Sequence, residues 1–523
     1  MPPVLVLKVG NFNSYSGIVK EEGTYKIIEN SFGERSTPSY IAFTEYQVEV
    51  GSLAKQNYIS NPSNTVFGFN RLLSNKISDF SPSELKRWQC RICRNKDFDE
   101  NAIEDGTLVE VTYLTEKKIF SPSELITIFL KELKLTAETS LSLKLSKAIV
   151  VMPSYFVEDT QQKLFEEIVK NSGITALRFI KEPVSACLAF DLVEDALVIV
   201  LDYGALGVTC SLVRISCGLY LFYLKLLSFY YTLIPANSYT LVKTEVDNSL
   251  GTAILTARLM QFFASQFFKS TKLNISENLK AVLKLRAECE RALIALTRAK
   301  TYTASVEALM EGIDLNCTID RGTFEQLCKT QLEDGLKPLR SLLTNSEIPL
   351  GPQEVTHVVF TGGGANIPLL QELLKQEFES ARFLCGSNPE ETVVIGGLKE
   401  ASLLLKFKGS LNLEVQPTEV YALSHTLSLE ISGGRCYPIL KRMTPLPAHQ
   451  KVVHRIACDV LLKVYEGECS TVEGNKLLKE IPVMGINSEQ MVSINFHCSQ
   501  SGVLRIAVES SVSGMQICEA YIP

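Results

Sequence analysis

The chain has 523 residues, 46% of them hydrophobic and 21% charged, with a net charge of −6, which suits a globular protein of two or three domains. That mildly acidic balance offers no basic footprint for direct DNA binding. Its 14 cysteines have no regular spacing, and the opening MPPVLVLKVG lacks the charged start and long apolar run of a signal peptide, so reduced thiols in the cytoplasm (cytosol) are expected.

The first predicted unit is VLVLKVG (4–10), a polar Asn/Ser turn and SGIVKEEGTYKIIEN (16–30): strand, glycine loop, strand, Glu-Glu-Gly turn, strand. Cys90 and Cys93 in QCRIC read either as half of a zinc site or as two plain thiols, and no second pair at ligand spacing accompanies them. KAIVVMP (147–153) predicts a buried strand stopped by proline. VEDTQQKLFEEIVKNSG (157–173) predicts a helix with Leu164, Ile168 and Val169 on one face and Gly173 at its end. TALRFIKEP (175–183) is the next strand, and Glu182-Pro183 opens a short helix. Strands alternating with helices indicate an α/β fold.

LVIVLDYGALGVTCSLVRISCGLYLF (197–222) repeats the first unit, with its second turn expected at Cys217-Gly218. Such internal similarity predicts two related lobes facing each other across a cleft. Within it, Gly204 and Gly207 allow the backbone close to a phosphate. Asp202 ends a buried strand, where an unpaired carboxylate is costly, and so is assigned a phosphate-side or water-mediated metal role. GLYLFYLKLLSFYYTLIP (218–235) is nearly long enough to span a bilayer, but Lys225 near its middle would cost roughly 2.5–3.5 kcal/mol there. A buried or loosely packed insertion is therefore preferred to a membrane span.

Helices are expected around 252–270, 277–300 and 323–344, the last opened by Thr323 and Gln326 as a capping box. In THVVFTGGGANIPLLQELLKQEF (356–378) an apolar strand ends at Thr361, three glycines follow, and a helix starts at Pro368. That is either an anion site at a helix N-terminus or a tight connection with no ligand. FKGSLNLEVQPTEV (407–420) is linker-like. LSLEISG, CYPILKR, DVLLKVYEG, VSINFHC and GVLRIAVE then alternate apolar and polar residues, as an all-β sandwich does.

Taken in order, GERSTPSYIAF (33–43), NPSNTVFGFNRLL (61–73), FIKEPVSACLAF (179–190), RAECERA (286–292), TGGGANIP (361–368), NPEETVVIGG (388–397), PILKRMTPLP (438–447) and LLKVYEGE (461–468) resemble the heat-shock-protein-70 (DnaK-type) chaperones. The resemblance implies a two-lobed actin-like (ribonuclease-H-like) ATPase domain over 1–405, with an apolar insertion at about 221–239. A linker at 406–416 and a truncated β-sandwich substrate-binding-like domain at 417–523 follow, without a helical lid. It implies ATP or ADP as cofactor, held by Gly10, Asn11, Asp202, Gly204, Gly251, Glu290, Gly362, Gly363 and Glu390, the last in place of an aspartate.

Departures from the family pattern bear on catalysis. Lys8, Asn11 and Phe12 stand where the first hairpin carries an aspartate and threonines around the metal-bound phosphates. Asn70 replaces the catalytic lysine, and Thr209 an aspartate. Leu293 and Ile294 replace a lysine and an arginine, and Asn366 replaces an arginine near adenine. Glu182 and Asp202 remain as catalytic candidates, with Asp202 the one candidate for a water-mediated metal contact. At about 4 Å and an effective dielectric near 20, each unit of charge is worth about 4 kcal/mol, so Lys8 weakens Mg²⁺ binding while offering a partner to phosphate. Phe12 either fills phosphate space or packs into its lobe.

These departures, with the short β domain, resemble the divergent ribosome-associated branch of the family, the Ssz-type proteins and their animal counterparts. That branch implies a chaperone subunit paired with a zuotin-type J-domain protein, serving the ribosome and nascent chains indirectly alongside other heat-shock-70 chaperones. The alternatives are an active, ATP-cycling peptide-binding chaperone and an actin-fold sugar or acid kinase using Glu182 as its carboxylate.

Overall fold

A computed structural model describes residues 3–20, 23–73, 75–94, 106–156, 159–192, 194–220, 234–344, 351–408, 423, 425–431, 433–442, 444, 448–486, 488–499, 503–510 and 516–522. The chain divides into two compact units, Met1–Val415 and Gln416–Pro523.

The first unit is built on two five-strand paths of the same topology. In one, Val4–Lys8 pairs antiparallel with Asn13–Val19, which pairs with Tyr25–Ile27, while Lys147–Met152 and Thr175–Lys181 extend the other side in parallel. In the other, Ala196–Tyr203, Val208–Tyr220 and Ile234–Asp247 form the antiparallel part, and His357–Thr361 and Arg382–Cys385 the parallel part. The central strands are apolar throughout because both faces are covered. Leu5 and Leu7 face the helices Pro122–Leu141 and Asp159–Asn171, where Phe129, Leu130 and Phe165 pack. Val4 and Val6 face inward, into a core shared with Val198, Val200 and Val359 of the second sheet.

That inner core is bridged by two helices, Glu182–Ala189 and Thr392–Lys408. They touch where glycine permits it: a Cβ at Gly396 would overlap the Ser185 carbonyl, and Ser185 Oγ donates to Val393 O at 2.7 Å. The outer face of the second sheet carries Thr252–Thr271 and Leu279–Leu296. This is the pair of related α/β lobes expected from the repeated unit, in the actin-like form that the resemblance implies.

Several local expectations are corrected. No turn forms at Cys217-Gly218: the strand runs on to Tyr220, with Cys217 opposite Asn237 and Gly218 opposite Ala236. Residues 234–239 of the anticipated insertion belong to the partner strand, and 221–233 lie outside the described residues. The 323–344 helix is two helices, Arg321–Asp334 and Lys337–Thr344, and the first is capped by Asp320, whose Oδ1 accepts the Thr323 N–H at 2.8 Å. Thr323 is the residue being capped. In Asp159–Asn171, Phe165 is buried along with Ile168 and Val169, whereas Leu164 is half-buried. Cys90 and Cys93 are buried thiols outside any disulfide. No helix among the described residues is long and apolar enough to cross a membrane.

The second unit is a sandwich of two four-stranded antiparallel sheets. One runs in the order Arg435–Leu440, Leu427–Ile431, Val460–Glu466, Lys476–Val483. The other runs Ala448–Ile456, Gln490–Cys498, Leu504–Ser510, Gln516–Ile522. Alternating residues from both sheets, including Val464, Ile481, Phe496 and Ile506, meet in one core. The expected linker lies largely outside the described residues.

Candidate functional site

A cleft of about 830 Å³ opens within the first unit, a size typical of small-molecule sites. Its floor is formed where the two related hairpins meet. Lys8 sits opposite Tyr15 in the first and Asp202 opposite Thr209 in the second, so the duplicated topology places a lysine and an aspartate at corresponding positions. Glu182, the first residue of its helix, is buried between them. Glu182 Oε2 accepts the Ser154 N–H at 3.0 Å and Ser154 Oγ at 3.2 Å, while Oε1 lies 3.8 Å from Lys8 Nζ. Glu182 is therefore both a helix-start residue and part of the cleft's charge constellation.

Asp202 is enclosed by protein on most sides. Burial, with Glu182 and then Glu390 as negative neighbours, pushes its carboxyl up from 3.8 to about 6, and Lys8 opposes the shift. Glu390 accepts from Tyr15 OH at 2.6 Å and Asn13 Nδ2 at 3.4 Å, which ties the Pro389–Glu391 turn to the first hairpin.

The glycines allow close approach of backbone and side chains. Gly362 has φ +85°, and a Cβ there would overlap Asp202 Oδ1; a Cβ at Gly363 would lie 2.9 Å from Glu390 Oε1. Gly251, at φ +114°, lets the Thr252–Thr271 helix start against the second hairpin turn, where Thr252 and Ala253 N–H groups bond to the Gly204 and Ala205 carbonyls. Not every loop amide is directed at a ligand: Gly10 N–H donates to Ser14 Oγ at 3.0 Å and Gly204 N–H to Gly207 O at 3.0 Å. A short tight turn, Gly363–Asn366, separates Gly362 from the Pro368–Glu377 helix, so the helix does not begin at the glycines.

The other anticipated positions divide clearly. Asn11 lines the cleft and accepts the Arg71 N–H at 3.1 Å. Thr209 is buried beside Asp202 and reaches the cleft wall. Asn70 lies behind the wall: it is fully buried and donates to Val9 O at 2.9 Å. Phe12 touches the cleft, but its ring packs edge-on against Phe67 and Tyr40, at 5.4 and 6.0 Å, which favours the lobe-packing alternative. At the far end, Glu290 pairs with Lys55 at 3.4 Å, and Leu293 and Ile294 add apolar wall. Asn366 Nδ2 is 3.5 Å from Gly363 O.

Sequence reasoning missed Tyr15, Tyr155 and Lys55 as wall residues. Only Tyr15 had a local signal, since it faces Lys8 across the hairpin. Size and glycine-lined turns suit a nucleotide; the donor set does not suit a protein-held metal. Among the described residues no group of three or more His, Cys, Asp or Glu side chains is arranged to hold an ion, and the carboxylates on the floor already face an ammonium.

The model of the Hsp70 protein family matches residues 4–519. A heat shock 70 kDa protein of Neurospora crassa is 29% identical, over 98% of this chain and 77% of its own length. A heat shock cognate 70 kDa protein 3 of Dictyostelium discoideum is 29% identical, over 93% and 75%. A ribosome-associated molecular chaperone of Eremothecium gossypii is 30% identical, over 95% and 79%. With nearly its whole length matched, the chain belongs to the Hsp70 family of nucleotide-binding chaperones.

Proposed function

We propose that this protein is an Hsp70-family chaperone subunit that binds ATP or ADP in its cleft and hydrolyses ATP slowly or not at all. The carrying observation is the Lys8–Glu182 pair on the cleft floor. In this reading Gly10, Asn11, Asp202, Gly204, Gly362, Gly363 and Glu390 surround the phosphates, Gly251 supports the second hairpin turn, and Glu290 with its apolar neighbours faces the nucleoside. A side chain that positions or deprotonates the attacking water is worth roughly 10²–10⁴ in rate. Asn70 is buried against Val9 rather than turned into the cleft, and Glu182 is occupied by Ser154 and Lys8. The groups that would drive hydrolysis are thus absent or engaged.

The same reading places the protein in the cytosol, in the Ssz-type branch, acting with a zuotin-type J-domain partner at ribosomes. It is supported by similarity to relatives named ribosome-associated molecular chaperones, at 29–30% identity. Calorimetric titration with ATP and ADP, with phosphate release followed on the same sample, tests the nucleotide part. Saturable binding is expected, with release at background level whether or not a J-domain protein is added. Brisk, J-domain-stimulated release would instead identify an ATP-cycling chaperone. Affinity purification tests the partner, which should co-purify stoichiometrically and sediment with ribosomes.

A further inference from the structure

We propose that Lys8 is a resident cation for this cleft, so that the phosphates of its nucleotide bind without a divalent metal ion. The inference rests on the nucleotide reading above and deepens it. Lys8 ends the central strand of the first sheet at the position corresponding to Asp202 in the second, and both line the cleft. Its side chain is only 15% exposed. Among the described residues its one ionic partner is Glu182 Oε1, at 3.8 Å, too long for a hydrogen bond. An ammonium carries three donors, and among the described residues none of those of Lys8 has a hydrogen-bond acceptor. A ligand with anionic oxygens would supply them, through short charge-assisted bonds.

The carboxylates nearby do not form a metal nest. Glu182 turns Oε2 to the Ser154 N–H and Oγ, Glu390 holds Tyr15 and Asn13, and Asp202 lies against Gly362 with the charge of Lys8 acting on it. A divalent ion would have to settle beside an ammonium, with Glu182 and Glu390 already engaged by Ser154, Tyr15 and Asn13. A polyphosphate meets the opposite situation: the fixed positive charge is present before the ligand arrives.

The test is calorimetric titration of the full chain with ATP, in EDTA and again with excess Mg²⁺, for the wild type, Lys8→Gln, Lys8→Arg and Lys8→Asp. Nucleotide-free thermal melts confirm that each variant is folded. The expected result is wild-type affinity within about threefold between the two buffers. Lys8→Gln should lose tenfold or more in EDTA, and Lys8→Arg should keep metal-free binding. Lys8→Asp should lose binding in EDTA and regain part of it with Mg²⁺. Wild-type binding that requires Mg²⁺ would overturn the role of Lys8 and leave the nucleotide reading standing. Metal-free binding unchanged in Lys8→Gln would do the same. No binding in either buffer would remove both. If one Lys8 variant fails to fold, the two wild-type arms still test metal independence and the remaining variants test Lys8.

Discussion

Asp202 lies one residue before the end of its strand, with Glu182 and Glu390 as neighbours and Lys8 as the opposing charge, and its carboxyl is pushed up to about 6. Its folded value lies above its unfolded one, so the native state binds this proton more tightly. Ionisation therefore costs stability progressively between about pH 4 and 6, and the cost is level above that range. Two units correspond to nearly 3 kcal/mol, about 2 once water on the open side of the cleft is allowed for. Asp202→Asn has nearly the same shape and carries no such cost. Its melting temperature should exceed the wild type's by a degree or two at pH 7.5 in the absence of nucleotide, and the gap should narrow as pH falls from 6.5 to 5. A gap constant across that range would show that charge is not the cause. Residues of this kind were only half legible in the sequence. Asp202 and the glycines announce themselves locally, at a strand end and in turns. The Tyr15–Glu390 bond joins positions 375 apart, and the Lys8–Glu182 pair likewise appears only once two elements meet in space.

At the scale of elements, the helices Glu182–Ala189 and Thr392–Lys408 hold the two sheets together through a crossing that leaves no room for a methyl group. Gly396→Ala would drive a Cβ into the Ser185 carbonyl and disturb the Ser185–Val393 bond. Overpacking costs typically 1–3 kcal/mol, set against about 1 kcal/mol gained from alanine's helix propensity. A net loss of up to about 2 kcal/mol is expected, read as a lower urea midpoint with unchanged slope. Gly106→Ala, where a Cβ meets nothing within 4 Å among the described residues, is the control and should leave the midpoint level or slightly raised. Elements whose pattern is set by burial were readable, such as VLVLK and KAIVVM. Ends set by a competition between local signals were not. Gly218 carries a turn signal, yet a strand partner places Ala236 opposite it and the ladder continues. Thr323 and Gln326 fit a capping pattern, but Asp320 lies three residues earlier with a stronger acceptor and takes the Thr323 N–H and hydroxyl. Loss of that cap in Asp320→Ala should lower the midpoint of the same urea titration.

For the whole molecule, the repeated strand–loop–strand unit predicted two related lobes, and the two sheets do share one strand order. Duplication is legible because topology follows from which strands are buried on both faces; the sandwich is legible because its strands alternate. Each unit closes its own core, the sandwich around Val464, Ile494, Phe496, Ile506 and Val508, and among the described residues the cleft is lined only from within the first unit. A fragment spanning 416–523 should therefore fold alone, with a β-type circular dichroism spectrum and cooperative melting. A ligand that binds only the native state stabilises it by about 2.7 kcal/mol at a hundredfold excess over Kd. ATP should accordingly raise the melting temperature of a 1–415 fragment, in EDTA as well as in Mg²⁺ if Lys8 supplies the cation, and leave the 416–523 fragment where it was. Scanning calorimetry of the two fragments with and without ATP reads both effects. A shift in the sandwich fragment would mean that nucleotide is held by residues outside the cleft, and no shift in the 1–415 fragment would mean that the cleft does not take it.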